Sequence, residues 1–520
     1  MKLKKKYAKV IKEYEAKNYD AALRLLHKMK ANDKDYYCVE LAIFDKLKNT
    51  VKEYRALKKL LPMLSPSSPE DKETYEGCLI KLTACCSHLG LTEEALKFGY
   101  YIMNSTKDRN IFYVSISSLC FDMNSRENCT AADFQAVYDE YERHLSDIPV
   151  FPRIIYNHDK IRVGFLSGDF CNHVVMRFSW GLLTKLDKNA FEVYCYSSGQ
   201  KQDEINSLLR VTIKDNWRDI YDLTDEAAAK LIRDDEIDIL FDLSGHTKGN
   251  RLAILAYRPA SIQISGIGFT NSTGLKTVDY FLTDVHCIGD SAPYFTENFI
   301  ILPHSHICLA ELEKVEHAAE PPCFKNGYVT FGSFNQYRKI TDPILIAWKK
   351  ILDAVPNSRL LLKNRILGTS DGKNFVINRL KQFKFDLNRV ELRGHSDKHP
   401  LDYDDMDIAL DTFPYTGVTT TCEALYMGVP VVSLYGNRHS TRCGLSILNN
   451  VGLYELAVDS YDEYVNRAVA LAGDWELLTI LKKNLRTMIK KSPLMDKAGY
   501  VREAEQAFIQ VLNTERNNLQ

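Results

Sequence analysis

The chain has 520 residues, 45% hydrophobic and 26% charged, with a formal net charge of -1. This is the composition of a globular protein too long for one ordinary core, so two or three domains are expected and extensive disorder is not. So even a balance gives no global attraction to nucleic acid or to an anionic membrane, and no apolar stretch is long enough to span a bilayer.

The first six residues are basic, but no apolar run of the signal-peptide kind follows them. The 13 cysteines are scattered, as at Cys85-Cys86, Cys195 and Cys422, without the paired spacing of a zinc site. Reduced, buried thiols in a cytoplasmic protein are the expectation.

Residues 5–146 carry apolar side chains three and four apart, which predicts helices. Lys17-Asn18-Tyr19-Asp20-Ala21-Ala22 and Gly90-Leu91-Thr92-Glu93-Glu94-Ala95-Leu96 read as two copies of a helix-turn-helix junction, with a degenerate copy near 51–60. The segment resembles tetratricopeptide repeats, whose period is about 34 residues. An ordinary helical bundle with Gly and Ala at its junctions fits the same residues. Docking or substrate presentation is its natural role, and an oligomer formed through it is compatible with the pattern.

After Pro149 and Pro152 short apolar runs alternate with helical stretches. Strands are predicted at 161–166, 191–196, 237–243, 262–267 and 280–282, with helices at 178–186 and 226–233. Beyond the polar stretch 311–326, a second series is predicted at 329–333, 358–362, 390–393, 408–411 and 431–434. Alternation of this kind predicts two doubly wound parallel sheets, with ligands at the carboxyl ends of the strands. The expected domains are 1–148 (helical) and two Rossmann-like units, 155–315 and 322–515, the second ending in a C-terminal helix.

Four polar, Gly-bearing loops follow predicted strands. In the segment Asp411 to Leu425 a strand stops at Pro414, Gly417 permits a tight turn, and Thr419, Thr420 and Thr421 precede a helical run at 422–427. The positive end of such a helix suits a diphosphate, and Glu423 is placed to accept from ribose hydroxyls; Thr and Glu are also routine capping residues. In Phe334-Asn335-Gln336-Tyr337-Arg338-Lys339 a loop offers Lys339 and Gln336 to a departing diphosphate, or is simply a solvated basic loop. In Gly168-Asp169-Phe170-Cys171-Asn172-His173 an imidazole is available for proton transfer, or is structural. In Asp242-Leu243-Ser244-Gly245-His246-Thr247 another strand ends, with Asp242 as a site residue or a cap.

Taken in order, these segments, with Arg258-Pro259-Ala260, Val355-Pro356-Asn357-Ser358 and Gly428-Val429-Pro430-Val431-Val432, resemble the catalytic region of the O-GlcNAc transferase/SPINDLY family over nearly all of 155–515. The resemblance implies an α/β protein of GT-B fold, two Rossmann-like domains preceded by an all-α TPR-like segment. It also implies an inverting transfer of GlcNAc from UDP-GlcNAc, or of a sugar from a related nucleotide sugar, to a protein or peptide Ser/Thr. No metal or other cofactor is implied, and neither nucleic acid nor a membrane span is expected. His173 and Lys339 become the catalytic candidates. Gln336, Thr419, Thr420, Thr421, Glu423, His246 and Thr247 become the nucleotide-sugar-binding set, with His173 and Thr247 on the sugar and acceptor side.

Val418 and Arg177 stand where the animal enzymes have histidines, and the segment 396–405, with Lys398 and His399 as nucleobase candidates, is shorter than is usual for the family. Gly266 and Thr270 replace the family's usual Trp and Pro. Alternatives are therefore a GDP-fucose O-fucosyltransferase, a UDP-glucose N-glucosyltransferase, and a non-catalytic adaptor with a degenerate core.

Overall fold

Three helical hairpins open the chain: α1 (Ala8–Glu15) with α2 (Tyr19–Lys28), α3 (Lys34–Lys46) with α4 (Thr50–Leu60), and α5 (Lys72–His88) with α6 (Thr92–Ser105). They are followed by α7 (Arg109–Met123) and α8 (Ala131–Leu145). This is a computed structural model describing residues 5–310, 315–396 and 399–519; Lys398 lies outside them. Each hairpin turns on a left-handed residue, Lys17 (φ 62°), Lys48 (φ 52°) and Gly90 (φ 68°), a conformation that ends a helix by capping its last carbonyls. Position 90 is also closely packed: a Cβ there would lie 3.3 Å from Arg379 Nη1 and in ordinary contact, at 3.5 Å, with the Tyr337 carbonyl.

Packing divides the chain into two units, 1–126 with 332–399, and 127–331 with 400–520. In the first, Asn49 caps α4 by accepting from the Lys52 N–H (3.2 Å) and donates its amide to Asp371 at 3.0 Å. Arg338 stacks on Phe121, 3.9 Å from the ring centroid. In the second, α8 joins the sheet-bearing part: Phe134 meets Tyr294 edge-on at 5.9 Å, and Gln135 donates to the Pro293 carbonyl.

The first sheet has seven strands: β1 (Ile161–Ser167), β2 (Phe191–Ser197), β3 (Trp217–Asp219), β4 (Ile239–Asp242), β5 (Ile262–Ser265), β6 (Tyr280–Asp284) and β7 (Asn298–Leu302), ordered β3-β2-β1-β4-β5-β6-β7 and paired in parallel. Central strands such as β4 are buried along their whole length, as parallel strands covered on both faces must be. The Lys497–Leu519 helix supplies part of that cover. Its Tyr500, Val501, Ala504, Phe508 and Leu512 share one core with Val163, Phe165 and Phe241, so a helix late in sequence completes the first sheet.

The second sheet has six strands: β8 (Thr330–Ser333), β9 (Arg359–Lys363), β10 (Val390–Arg393), β11 (Ile408–Leu410), β12 (Val431–Leu434) and β13 (Ala457–Val458), ordered β10-β9-β8-β11-β12-β13. The two sheets are of the Rossmann-like kind expected, with three strands more than predicted. β3 and β13 are too short to carry a pattern, and β7 alternates buried Ile300 with an Ile301 that is half exposed.

Candidate active site

The loop after β1 is pinned from several sides. Ser167 Oγ accepts from the Asp169 N–H at 3.0 Å, Asp203 accepts from the Asn172 N–H at 2.8 Å, and Asn206 donates to the Phe170 carbonyl at 2.8 Å. His173 caps the helix α9 (Val174–Lys185), its Nδ1 accepting from the Val175 N–H at 3.4 Å and lying 3.5 Å from Asp169 Oδ2. The two contacts call for opposite tautomers. With Nδ1 on the amide, Nε2 carries the proton; with an Nδ1–H turned to Asp169, Nε2 is a base. Burial raises the Asp169 carboxyl above the usual range, and the His173 charge offsets part of that.

The loop after β4 meets the first one, since a Cβ on Gly168 would lie 3.4 Å from the Gly249 carbonyl. Asp242 organises this second loop. Its carboxylate accepts from the N–H groups of Ser244 (3.1 Å) and Gly245 (2.7 Å) and from Ser265 Oγ (2.9 Å), and burial lifts its pKa to about 6. His246 turns inward: it is buried, Nε2 lies 2.9 Å from the Thr273 carbonyl, and its ring packs against Tyr141 and Phe269. Burial lowers its pKa to about 4, so the ring is neutral at pH 7 with its proton on Nε2. His246, expected among the nucleotide-sugar-binding residues, thus supports the loop through the Thr273 carbonyl in this structure. Thr247 is half-buried, its hydroxyl donating to the Ser244 carbonyl at 2.8 Å.

The helix expected at 422–427 is Thr419–Tyr426, so the threonines form its first turn. Asp411, at the end of β11, shapes the approach: Oδ1 accepts from the N–H groups of Thr412 (2.8 Å) and Gly417 (2.7 Å), while Oδ2 accepts from Ser433 Oγ (2.7 Å). Thr419 and Thr420 are half-buried and Thr421 is buried. Glu423, one turn in, is held by Arg177 of α9 (Nη1 to Oε1, 2.7 Å) and by the Tyr403 hydroxyl (3.4 Å to Oε2), which also donates to the Thr420 carbonyl at 3.2 Å. Helix α9, which follows the loop after β1, is thereby joined to the Thr419–Tyr426 helix by an ion pair. Neither Tyr403 nor Asp169 was among the expected site residues: Tyr403 lies in the shortened 396–405 segment, and Asp169, though inside the Gly168–His173 motif, shows its part only by its distance to His173.

Gln336 and Lys339 lie in the other packing unit. Gln336 is exposed, its Oε1 accepting from Arg338 Nε at 2.8 Å, and it begins the short turn Tyr337–Lys339. Lys339 is half-buried, its N–H on the Gln336 carbonyl at 3.0 Å. The helix Asp342–Ala354 follows with Pro343 in its first turn. Among the described residues no helix is long and apolar enough to cross a membrane.

Residues 144–321 and 322–504 match the family model described as glycosyl transferase family 41. The chain is 37% identical over 385 residues to a tomato protein (Solanum lycopersicum) named "Probable UDP-N-acetylglucosamine--peptide N-acetylglucosaminyltransferase SPINDLY", over 72% of this chain and 40% of that one. It is 39% identical over 357 residues to the Hordeum vulgare protein of the same name, over 66% and 37%. The Arabidopsis thaliana protein with the same description but named SEC is 29% identical over 370 residues, covering 68% and 37%. The chain thus spans about 40% of the length of these relatives. Among solved structures, a mutant of the Thermobaculum terrenum O-GlcNAc transferase superposes with a TM-score of 0.85 at 25% identity, over 99% of this chain and 98% of that one.

Proposed function

The chain belongs to glycosyl transferase family 41, and from that premise we propose that it transfers N-acetylglucosamine from UDP-N-acetylglucosamine to a Ser or Thr hydroxyl of an acceptor protein. The acceptor oxygen attacks the anomeric carbon opposite the diphosphate, the bond from that carbon to the diphosphate oxygen breaks, and UDP leaves with the electron pair. The configuration inverts.

The observation that carries this reading is Glu423, set one turn into the Thr419–Tyr426 helix and held by Arg177 and Tyr403. A carboxylate fixed there accepts from ribose hydroxyls, while the first-turn N–H groups and the threonine hydroxyls receive the diphosphate. Lys339, with Gln336, stabilises the charge that grows on the leaving group. His173, when its Nδ1–H is turned to Asp169, takes the acceptor proton on Nε2. No metal is assigned a part. Relatives named as peptide N-acetylglucosaminyltransferases support the donor and the class of acceptor.

The test is release of UDP or GDP from UDP-GlcNAc, UDP-glucose and GDP-fucose in the presence of acceptor proteins, with the wild-type chain and Lys339→Ala. Consumption of UDP-GlcNAc that falls about a hundred- to a thousandfold in the variant supports the proposal. Consumption of GDP-fucose alone, or of UDP-glucose with modified Asn, replaces the donor and keeps the site. If no donor is consumed and none raises the melting temperature, a non-catalytic adaptor takes the proposal's place.

A further inference from the structure

We propose that Cys287, His306 and His439 form a buried binding site for one zinc ion, separate from the sugar-transfer chemistry. Cys287 follows β6, His306 follows β7, and His439 opens the short turn His439–Thr441 after β12. Each places a ligand-type atom within 4.8 Å of those of the other two. They are 0%, 4% and 1% exposed.

The hydrogen bonds around the rings decide which nitrogens are available. His439 Nδ1 lies 3.0 Å from the Thr270 carbonyl. A carbonyl only accepts, so the proton is on Nδ1 and Nε2 presents a lone pair. That Nε2 is buried and has no hydrogen-bond partner, an arrangement that is costly unless something fills it. His306 Nδ1 is 2.5 Å from Asp284 Oδ2, which leaves its Nε2 as the ligand atom.

Asp284 acts as the outer support of such a centre. Besides the His306 ring, it accepts from the backbone N–H of His306 (3.0 Å), from Ser446 Oγ (2.8 Å) and from the N–H groups of His286 (2.9 Å) and Cys287 (2.8 Å). A carboxylate that orients a ligating imidazole through its far nitrogen is a recurrent feature of metal sites, fixing both tautomer and ring. It also balances charge. A divalent ion, the Cys287 thiolate and the Asp284 carboxylate sum to zero if both imidazoles are neutral, so the centre can be buried without net charge.

Two imidazoles and a thiolate suit zinc, whereas calcium and magnesium require oxygen ligands. The Cys443 thiol is in hydrogen-bond contact with that of Cys287. The three ligands are too far apart in sequence for spacing to reveal them. A bound ion would fasten the segments after β6 and β7 to the segment after β12, tying strands of the first sheet to one of the second.

The experiment uses the full chain purified without chelator. Elemental analysis is expected to find about one zinc per chain. Cobalt added after chelator treatment is expected to give tetrahedral visible bands and a thiolate charge-transfer band, and Cys287→Ser and His439→Gln should weaken or abolish them. Asp284→Asn should lower metal affinity about ten- to a hundredfold. Folded wild-type protein with no zinc and only a weak octahedral cobalt spectrum would overturn the proposal, as would a tetrahedral spectrum unchanged in both ligand variants. Should either variant fail to fold, the wild-type cobalt spectrum decides by the same criterion.

Discussion

Arg177 and Glu423 are separated by 246 positions and joined by a 2.7 Å contact. Arg177 is 40% exposed at its side chain and Glu423 13%, so solvent screening leaves the pair little weight in stability. Its consequence is orientation. Removing one charge-assisted contact from a ligand-holding carboxylate is expected to raise the donor KM about tenfold in Arg177→Ala, equivalent to roughly 1.4 kcal/mol. The melting temperature should stay close to wild type, and kcat should change less than KM; steady-state kinetics with scanning calorimetry checks all three. Glu423 was legible in the sequence because a Gly-Val-Thr-Thr-Thr run after a strand marks a helix N-terminus. What holds it was not, since Arg177 and Tyr403 reach it only through the fold. His246 stood in the sequence among the nucleotide-sugar-binding residues, and its burial, which no motif announces, is a property of the fold.

Gly417 and the loop after β4 belong to the scale of elements. A Cβ on Gly417 would sit 2.7 Å from the hydroxyls of both Thr420 and Thr421 and 3.0 Å from Asp411 Oδ1. The threonines can rotate, but the Asp411 carboxylate is held by hydrogen bonds from Thr412, Gly417 and Ser433. Gly417→Ala is therefore expected to cost about 1–3 kcal/mol and to weaken donor binding as the first turn shifts, read by urea denaturation and nucleotide titration. In the loop after β4 two shifts oppose each other. Burial holds His246 down at about 4 from 6.5, so its contribution is full above pH 6.5 and is lost as pH falls towards 4. Burial lifts Asp242 from 3.8 to about 6, so the folded chain takes up its proton first and gains stability as pH falls from 6 towards 3.8. Between pH 7 and 5 these amount to about 2 kcal/mol lost and about 1 kcal/mol gained. Relative to wild type, His246→Gln should become less acid-sensitive and Asp242→Asn more so, as urea unfolding at the two pH values would measure. At this scale most strands were legible, because a buried parallel strand is a continuous apolar run: 390–393 and 431–434 match their predicted bounds. β5 stops before its predicted end, at Ser265, where Ile267 enters the left-handed region at φ 67°. No pattern of single residues announces that.

For the molecule as a whole, the hydrophobic pattern gave two sheets and the motif order gave the glycosyltransferase reading, but it could not say which core each helix would fill. The Lys497–Leu519 helix was grouped by sequence with the second sheet, while its apolar face completes the first. Five buried side chains of this kind contribute on the order of 10 kcal/mol, comparable with the net stability of a domain. Phe508, fully buried and 6.2 Å from Phe241, should cost about 3–5 kcal/mol when changed to Ala. A chain ended after Asp496 should not assemble its first sheet at all. Denaturant unfolding of the point variant and proteolysis of the shortened chain are the measurements.

That closing helix also sets a timetable for biosynthesis. β7 ends at Leu302, and the residues that seal its sheet begin at Lys497. At about 5–20 residues per second the ribosome takes on the order of ten to forty seconds to cover that interval. Throughout it, the first sheet waits on the nascent chain with an apolar face uncovered, a standing invitation to chaperones.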